Sequence, residues 1–203
     1  MPVYDENIDA IILECAREEF LEKGYKNATL RDICAKANVT TGAMYKRYGN
    51  KQELFDALVL PALQVYQNLR DQSIEASYTA KENDNMKEIW NNSLESYQYI
   101  MTLIYSQKMA FQLLLCCASG SKQERFVDEL VDEVTEETMK FCKVIYAEKN
   151  LSNLPDADAV HILFTAYYNC IFEPIKHDFL LEKALQFCDI LENLFHWENV
   201  FQF

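Results

Sequence analysis

Glycine and proline are scarce, with four of each in 203 residues. A chain so poor in turn-formers favours long helices over a turn-rich β fold. No apolar run approaches the ~18 residues that span a bilayer. The opening MPVYDENID is acidic and lacks the basic and apolar regions of a signal peptide. The expectation is a cytoplasmic protein that does not enter the membrane. No CxxC occurs, although there are seven cysteines. Two readings stay open for them. They are reduced, buried thiols acting as small hydrophobes, or they form a redox switch. In the second case Cys116 and Cys117 would bond to each other under strain, with no basic residue beside them. The three histidines, at 161, 177 and 196, are too far apart for metal-ligand spacing. A Ser/His/Asp set, a phosphate loop and paired carboxylates are all missing. No catalytic residue, metal ligand or cofactor is therefore expected. What is present is apolar bulk: hydrophobic residues make up 50%, enough for a globular chain of one or two domains.

Those residues recur at helical spacing. A first helix is predicted over 7–23, with Ile8, Ile12, Ala16 and Phe20 on one stripe and Gly24 as its cap. A long helix starting at 51 carries Leu54, Phe55 and Leu58, and Pro61 is placed to kink it. Beyond a polar loop, helices are predicted over 86–105, 107–118 and 121–149, the last capped by Ser121 with Glu124. The middle one is apolar nearly all round and must be covered on several sides. Two more follow. One runs over 156–172 and is ended by Glu173-Pro174; the other starts at Asp178 as its cap. This last helix carries Leu180, Ala184, Phe187, Leu191 and Leu194, a heptad seam, beside a second stripe of Leu181, Leu185, Cys188 and Phe195. One stripe can serve the chain's own core and leave the other for a partner helix. Alternatively, both are covered internally.

The most informative stretch is 29–51, TLRDICAKANVTTGAMYKRYGNK. Thr29 with Asp32 opens one short helix, and Asn38 suits the left-handed residue that ends it. Thr40 caps a second, over 41–47, and Asn50 with Glu53 caps the long helix. Two short helices about a tight turn form a helix-turn-helix, whose second helix enters a DNA major groove. The net charge of −13 opposes DNA binding only when taken whole. Residues 1–51 balance eight basic against eight acidic residues, so the deficit lies entirely in 52–203. From Lys23 to Lys51 there are seven basic residues and a single acid, Asp32, giving a locally positive field.

This stretch resembles the DNA-binding domain of the tetracycline-repressor (TetR) family of bacterial transcriptional regulators. The matching residues are Phe20, Gly24, Tyr25, Ala28, Thr29, Leu30, Ile33, Ala37, Val39, Thr40, Gly42, Met44, Tyr45, Tyr48, Asn50, Lys51 and Leu54. Cys34, Asn38 and Tyr48 stand where the family has Ala, Gly and most often Phe, all mild changes. The resemblance implies an all-α chain of about nine helices. A helix-turn-helix DNA-binding domain would occupy 1–51, and a helical effector-binding and dimerisation domain 52–203. It implies a ligand-responsive regulator, a repressor released from double-stranded operator DNA by a small apolar effector.

Carried over position by position, Thr40, Thr41, Gly42 and Ala43 lie at the start of the recognition helix. Tyr45 and Lys51 match the family's phosphate contacts. Lys46 and Arg47 can reach phosphate or guanine, and Arg31 is a further candidate. The implied homodimer is a four-helix bundle built from Val160, Phe164, Tyr167 and Ile171 with Ala184, Phe187, Leu191 and Leu194. Trp90, Tyr97, Met101, Tyr105, Phe111, Phe141, Phe164 and Tyr168 are candidates to line an effector pocket, with His161 and Asn169 to orient the ligand. The same side chains at this spacing also serve as plain core. The alternative function is an all-α protein-interaction module on the same fold without specific DNA binding.

Overall fold

The protein is represented by a computed structural model that describes residues 6–85 and 93–201. Among the described residues all regular structure is helical. The order is α1 (Glu6–Asn27), α2 (Leu30–Lys36), α3 (Thr41–Arg47), α4 (Lys51–Glu82), α5 (Leu94–Ser106), α6 (Lys108–Cys116), α7 (Phe126–Glu148), α8 (Ala157–Lys176), α9 (Leu181–Leu194) and a closing 3-10 turn, Trp197–Asn199. No described helix is long and apolar enough to cross a membrane. The expected start of α5 near Met86, and Trp90 with it, lie outside the described residues.

Two compact units emerge: 1–64 with 107–125, and 65–106 with 126–203. These differ from the sequence segments 1–51 and 52–203, because α6 and the loop after it belong with the first unit. In that unit most of the predicted α1 stripe is buried, with Ile8 half-buried: Ile12, Ala16 and Phe20 join Ile33, Met44, Leu54 and Phe55 among the core residues. Aromatic edges fix its centre, with Phe20–Phe55 and Tyr25–Phe55 centroids each 5.1 Å apart. The left-handed φ of 71° at Gly24 breaks α1 where the glycine cap was expected, and one more turn follows. The nearly all-apolar α6 packs on α1 and buries Phe111, Leu113 and Leu114.

In the second unit α9 packs on α5, and α7 on α8. Two element ends differ from expectation. Pro174 lies inside α8, two residues before its end. The ring removes one N–H and crowds one carbonyl a turn earlier, and the helix ends two residues later. Asp178 is not the cap of α9. It adopts a left-handed φ of 51° and closes α8, with the Phe179 N–H donating to the Pro174 carbonyl at 2.8 Å. Likewise Ser121 lies in a turn before α7, which begins at Phe126. Beyond α9, Trp197 and Phe201 fold back into the core; the Trp197 ring lies 5.0 Å from Phe164 and 5.4 Å from Tyr167.

The proposed bundle residues need correction. Val160, Phe164, Tyr167, Ile171, Ala184 and Leu191 are buried within the unit's own core. Of that set, Leu194 faces outward at 59% exposure and Phe187 is half-buried. The outward apolar residues of α8, α9 and the link between them are instead Ile162 (67%), Leu163, Leu180, Leu181, Ile190 (58%) and Leu194. The inward face of α9 thus draws on both stripes read by spacing, Ala184 and Leu191 from the first and Cys188 from the second. Neighbouring stripes on a helix differ by only ~100°, and spacing alone does not choose between them.

Candidate nucleic-acid interface

Each element of this site begins or ends on a side-chain hydrogen bond that the sequence dictates. The Thr29 hydroxyl oxygen accepts from the Asp32 N–H at 3.1 Å and starts α2. Asn38, at φ 51°, turns the chain, and the Val39 N–H closes back on the Cys34 carbonyl at 3.0 Å. The Thr40 hydroxyl oxygen then accepts from the Ala43 N–H at 3.1 Å and starts α3. Asn50 and Glu53 cap α4 reciprocally: the Glu53 N–H donates to Asn50 Oδ1 at 3.0 Å, and Glu53 carboxylate oxygens accept from Asn50 Nδ2 at 2.9 Å and the Gly49 N–H at 2.8 Å. Met44 is fully buried and pins α3 to the core.

With Met44 inward, α3 turns Thr41, Gly42, Tyr45 and Lys46 to solvent, with Ala43 half-buried. Tyr45 is 55% exposed, and that much free aromatic surface has no structural use. Gly42 is informative for what it does not need. A Cβ there would meet nothing nearer than the Thr40 hydroxyl at 4.0 Å, and its φ is not left-handed. Neither packing nor backbone requires glycine. Its effect is a bare stretch of backbone on an exposed helix.

The basic residues sort into two groups. Glu19, fully buried, is held by the ammonium groups of Lys23 at 2.6 Å and Lys36 at 2.7 Å. Burial pushes its carboxyl up, but the two lysines outweigh that and leave it below the usual range. Lys23 also reaches Asp32 at 3.2 Å, and Lys36 reaches Glu22 at 3.3 Å. Arg47 is paired too: its Nε lies 2.6 Å from Asp9, so α3 is tied to α1 through a cation that the sequence assigned to DNA. Lys51 donates to the carbonyls of Tyr25 at 2.7 Å and Ala28 at 3.1 Å. Lys26, Arg31 and Lys46 are exposed and form no ion pair among the described residues. The candidate face is therefore Arg31, Thr41, Gly42, Tyr45 and Lys46, with Thr40 and Ala43 occupied in the cap.

The loop after α6 is fastened to the same unit. The Tyr25 N–H donates to the Cys117 carbonyl at 2.8 Å. Gln52 Nε2 donates to Asp56 at 2.7 Å and to Gln123 at 2.9 Å, and Gln123 Nε2 donates to Asp56 at 2.8 Å. Sequence reasoning missed this stitch, since partners so distant in the chain leave no periodic signal.

The expected effector-pocket residues are scattered. Phe111 belongs to the core of the first unit. Tyr97 and Met101 are fully buried on α5. The Tyr105 hydroxyl donates to the Phe179 carbonyl at 3.0 Å. Phe164 and Tyr168 lie side by side at 6.4 Å between ring centroids, and burial pushes the Tyr168 hydroxyl pKa up. Phe141 meets Tyr78 edge-on at 6.3 Å, and His161 Nδ1 is 3.6 Å from Asp132. A groove of about 530 Å³ is lined by Gln72, Glu75, Ala76, Thr79, Ala80, Asn83 and Asn85, none of them in the expected set. A half-buried polar cluster was not anticipated: Arg70 pairs with Glu133 at 3.0 Å and with Glu137, and the Tyr66 hydroxyl donates to Glu133 at 2.9 Å. No disulfide forms among the described residues, and burial raises Cys117, Cys142 and Cys188 to about 11, 12 and 11, which disfavours a reactive thiolate at those three.

Comparison with known proteins agrees with this geometry. Residues 12–58, which span most of α1, α2, α3 and the start of α4, match the family described as "Bacterial regulatory proteins, tetR family". The chain is 40% identical over 74 residues to the "Uncharacterized HTH-type transcriptional regulator YhgD" of Bacillus subtilis (strain 168), covering 36% of this chain and 38% of that protein. It is 30% identical over 131 residues to the "Probable acrEF/envCD operon repressor" of Escherichia coli (strain K12), covering 64% of this chain and 54% of that one. The match thus spans about half or less of the length of these curated relatives. A TetR-like transcriptional regulator from Rhodococcus sp. RHA1 shares the fold over 95% of both chains, with a TM-score of 0.55 at 18% identity.

Proposed function

Because residues 12–58 place the chain in the tetR family of bacterial regulatory proteins, we propose that it is a DNA-binding transcriptional regulator that reads an operator with α3. The observation that carries this reading is the capped α2–turn–α3 unit, which buries Met44 and turns Thr41, Gly42, Tyr45 and Lys46 outward together. Bare backbone at Gly42 allows close approach to base edges. Thr41 can donate to them or accept from them, and Tyr45, Lys46 and Arg31 are suited to phosphate.

The working form in this reading is a homodimer joined through the outward stripe of α8 and α9, led by Ile162, Ile190 and Leu194. Two-fold symmetry then dictates two half-sites one DNA turn apart, about 34–36 Å, or a multiple of that. Repression, with release by a small apolar effector bound in the second unit, completes the proposal. The effector must bind the released form better than the operator-bound form, with a reciprocal coupling of about 1–3 kcal/mol.

The experiment is selection of bound duplexes from a random pool, followed by a screen of apolar compounds for release of the enriched duplex. The expected result is a two-fold symmetric sequence with half-sites at that spacing. A pool that stays random after repeated rounds would remove the DNA reading and leave the protein-interaction module.

A further inference from the structure

Among the described residues, Glu19 alone of the charged side chains is fully buried. An unpaired carboxylate in such a place is costly. Here two cations hold it. One oxygen lies 2.6 Å from the Lys23 ammonium, a turn further along α1, and the other 2.7 Å from the ammonium of Lys36, the last residue of α2. Lys23 goes on to donate to Asp32, in the first turn of α2, at 3.2 Å. A single carboxylate of α1 therefore grips α2 at both ends, directly at its last residue and through Lys23 at its first turn. Lys36 also donates to Glu22 of α1 at 3.3 Å, and a cation at a helix C-terminus is favoured by the dipole.

A helix of seven residues has little stability of its own. The buried side chains of α2, Ile33 and Cys34, are neighbours near its middle. An anchor at one point holds the helix against the core but leaves its direction open. The ion pairs sit at the two ends, where they resist a swivel about that point. Stability alone does not call for them, since well-packed apolar residues often serve a buried site as well as an ion pair or better. Holding one arrangement among several is the use that remains. That arrangement matters to α3. Lys36 is followed by Ala37, by Asn38 at φ 51° and by Val39, and Thr40 then caps α3. Three residues carry any change in the direction of α2 into the next helix.

We propose that Glu19 is a positioning residue that, through Lys23 and Lys36, sets the direction of α2 and with it the presentation of Thr41 and Gly42 to base edges. The proposal rests on the DNA-binding reading. Hydrogen bonds to base edges demand exact geometry, while attraction to phosphates tolerates a tilt. Loss of Glu19 is therefore felt in the preference between sequences.

The test uses the full-length wild type, Glu19→Leu, Lys36→Met and the double variant. Each is melted, and each is titrated by anisotropy with a random-sequence duplex and with the duplex enriched by selection. The ratio of the two affinities cancels any loss of charge that acts on all sequences alike. Glu19→Leu is expected to melt no lower than the wild type and to lose about tenfold in that ratio, roughly 1.4 kcal/mol. Lys36→Met loses a similar factor. The double variant loses no more than the larger single loss, because both changes break the same pair. A folded Glu19→Leu that keeps the wild-type ratio overturns the proposal, and so do two losses that multiply in the double variant. If Glu19→Leu melts lower or fails to fold, Lys36→Met decides, since its side chain lies at the surface: an unchanged ratio there overturns the proposal. A wild type that binds neither duplex overturns the DNA reading and the proposal with it.

Discussion

At the scale of single residues, the side chains of the candidate interface divide into those the fold consumes and those it leaves over. Glu19, Asp9 and the carbonyls of Tyr25 and Ala28 together engage Lys23, Lys36, Arg47 and Lys51. The carboxylates of Glu19 and Asp9 offset the charges of Lys23, Lys36 and Arg47, so the positive field is weaker than the count of lysines and arginines implies, while Lys51, held by neutral carbonyls, keeps its charge. Gly42 is left over in the opposite sense, as a residue with less side chain than its surroundings permit. Glycine within a helix costs about 0.5–1 kcal/mol relative to alanine. Gly42→Ala is accordingly expected to raise the melting temperature slightly while weakening binding to the enriched duplex by about tenfold, roughly 1.4 kcal/mol. Calorimetric melts beside anisotropy titrations check both signs. An alanine variant that binds as well as wild type would mean that the bare backbone faces nothing. The threonine and asparagine caps were legible because a cap is a local hydrogen bond over three residues. The Glu19 and Lys51 partners were not, since Lys36 and Tyr25 meet them only after α1, α2 and α4 have packed.

At the scale of elements, α8 and α9 carry the clearest consequence. Periodicity located both helices and both stripes of α9. It could not say that the inward face would take Ala184 and Leu191 from one stripe and Cys188 from the other, because that depends on where α5 and the closing turn lie, and the Trp197 turn has no periodic signature at all. In the folded unit Leu191 is fully buried and its neighbour Ile190 is 58% exposed. The two positions should respond differently to the same charge. If α8 and α9 form the proposed dimer interface, Ile190→Lys is expected to leave the subunit folded and to yield monomers, since its ammonium would be buried only in that dimer. Leu191→Lys destabilises the subunit itself by several kcal/mol, because a lone charge inside the core has no partner. Sedimentation and thermal unfolding of both variants separate the cases. If Leu191→Lys gave well-folded monomers and Ile190→Lys remained dimeric, the inward and outward stripes would have been exchanged.

At the scale of the molecule, net charge and recognition are distributed in opposite senses. Residues 1–51 are neutral in sum, and the remainder carries the whole −13. In the proposed function this distribution favours a polyanion such as DNA near α2 and α3 and disfavours it along the acidic remainder, and binding is expected to be weak on random sequence. The second unit is recognisable as a helical body, but an effector site is not, because buried aromatic residues such as Tyr97 and Phe164 serve as core whether or not a ligand enters. The central claim is that α3 reads bases, and Thr41 is the exposed side chain best placed to do so. The measurement that bears on it most directly is competitive titration of every single-base variant of the enriched half-site, by the wild type and by Thr41→Ala. The account predicts mismatch costs of about 1–3 kcal/mol for the wild type. It also predicts that Thr41→Ala erases the preference at one base position and keeps the others. An identical ranking of all variants by both proteins would contradict it.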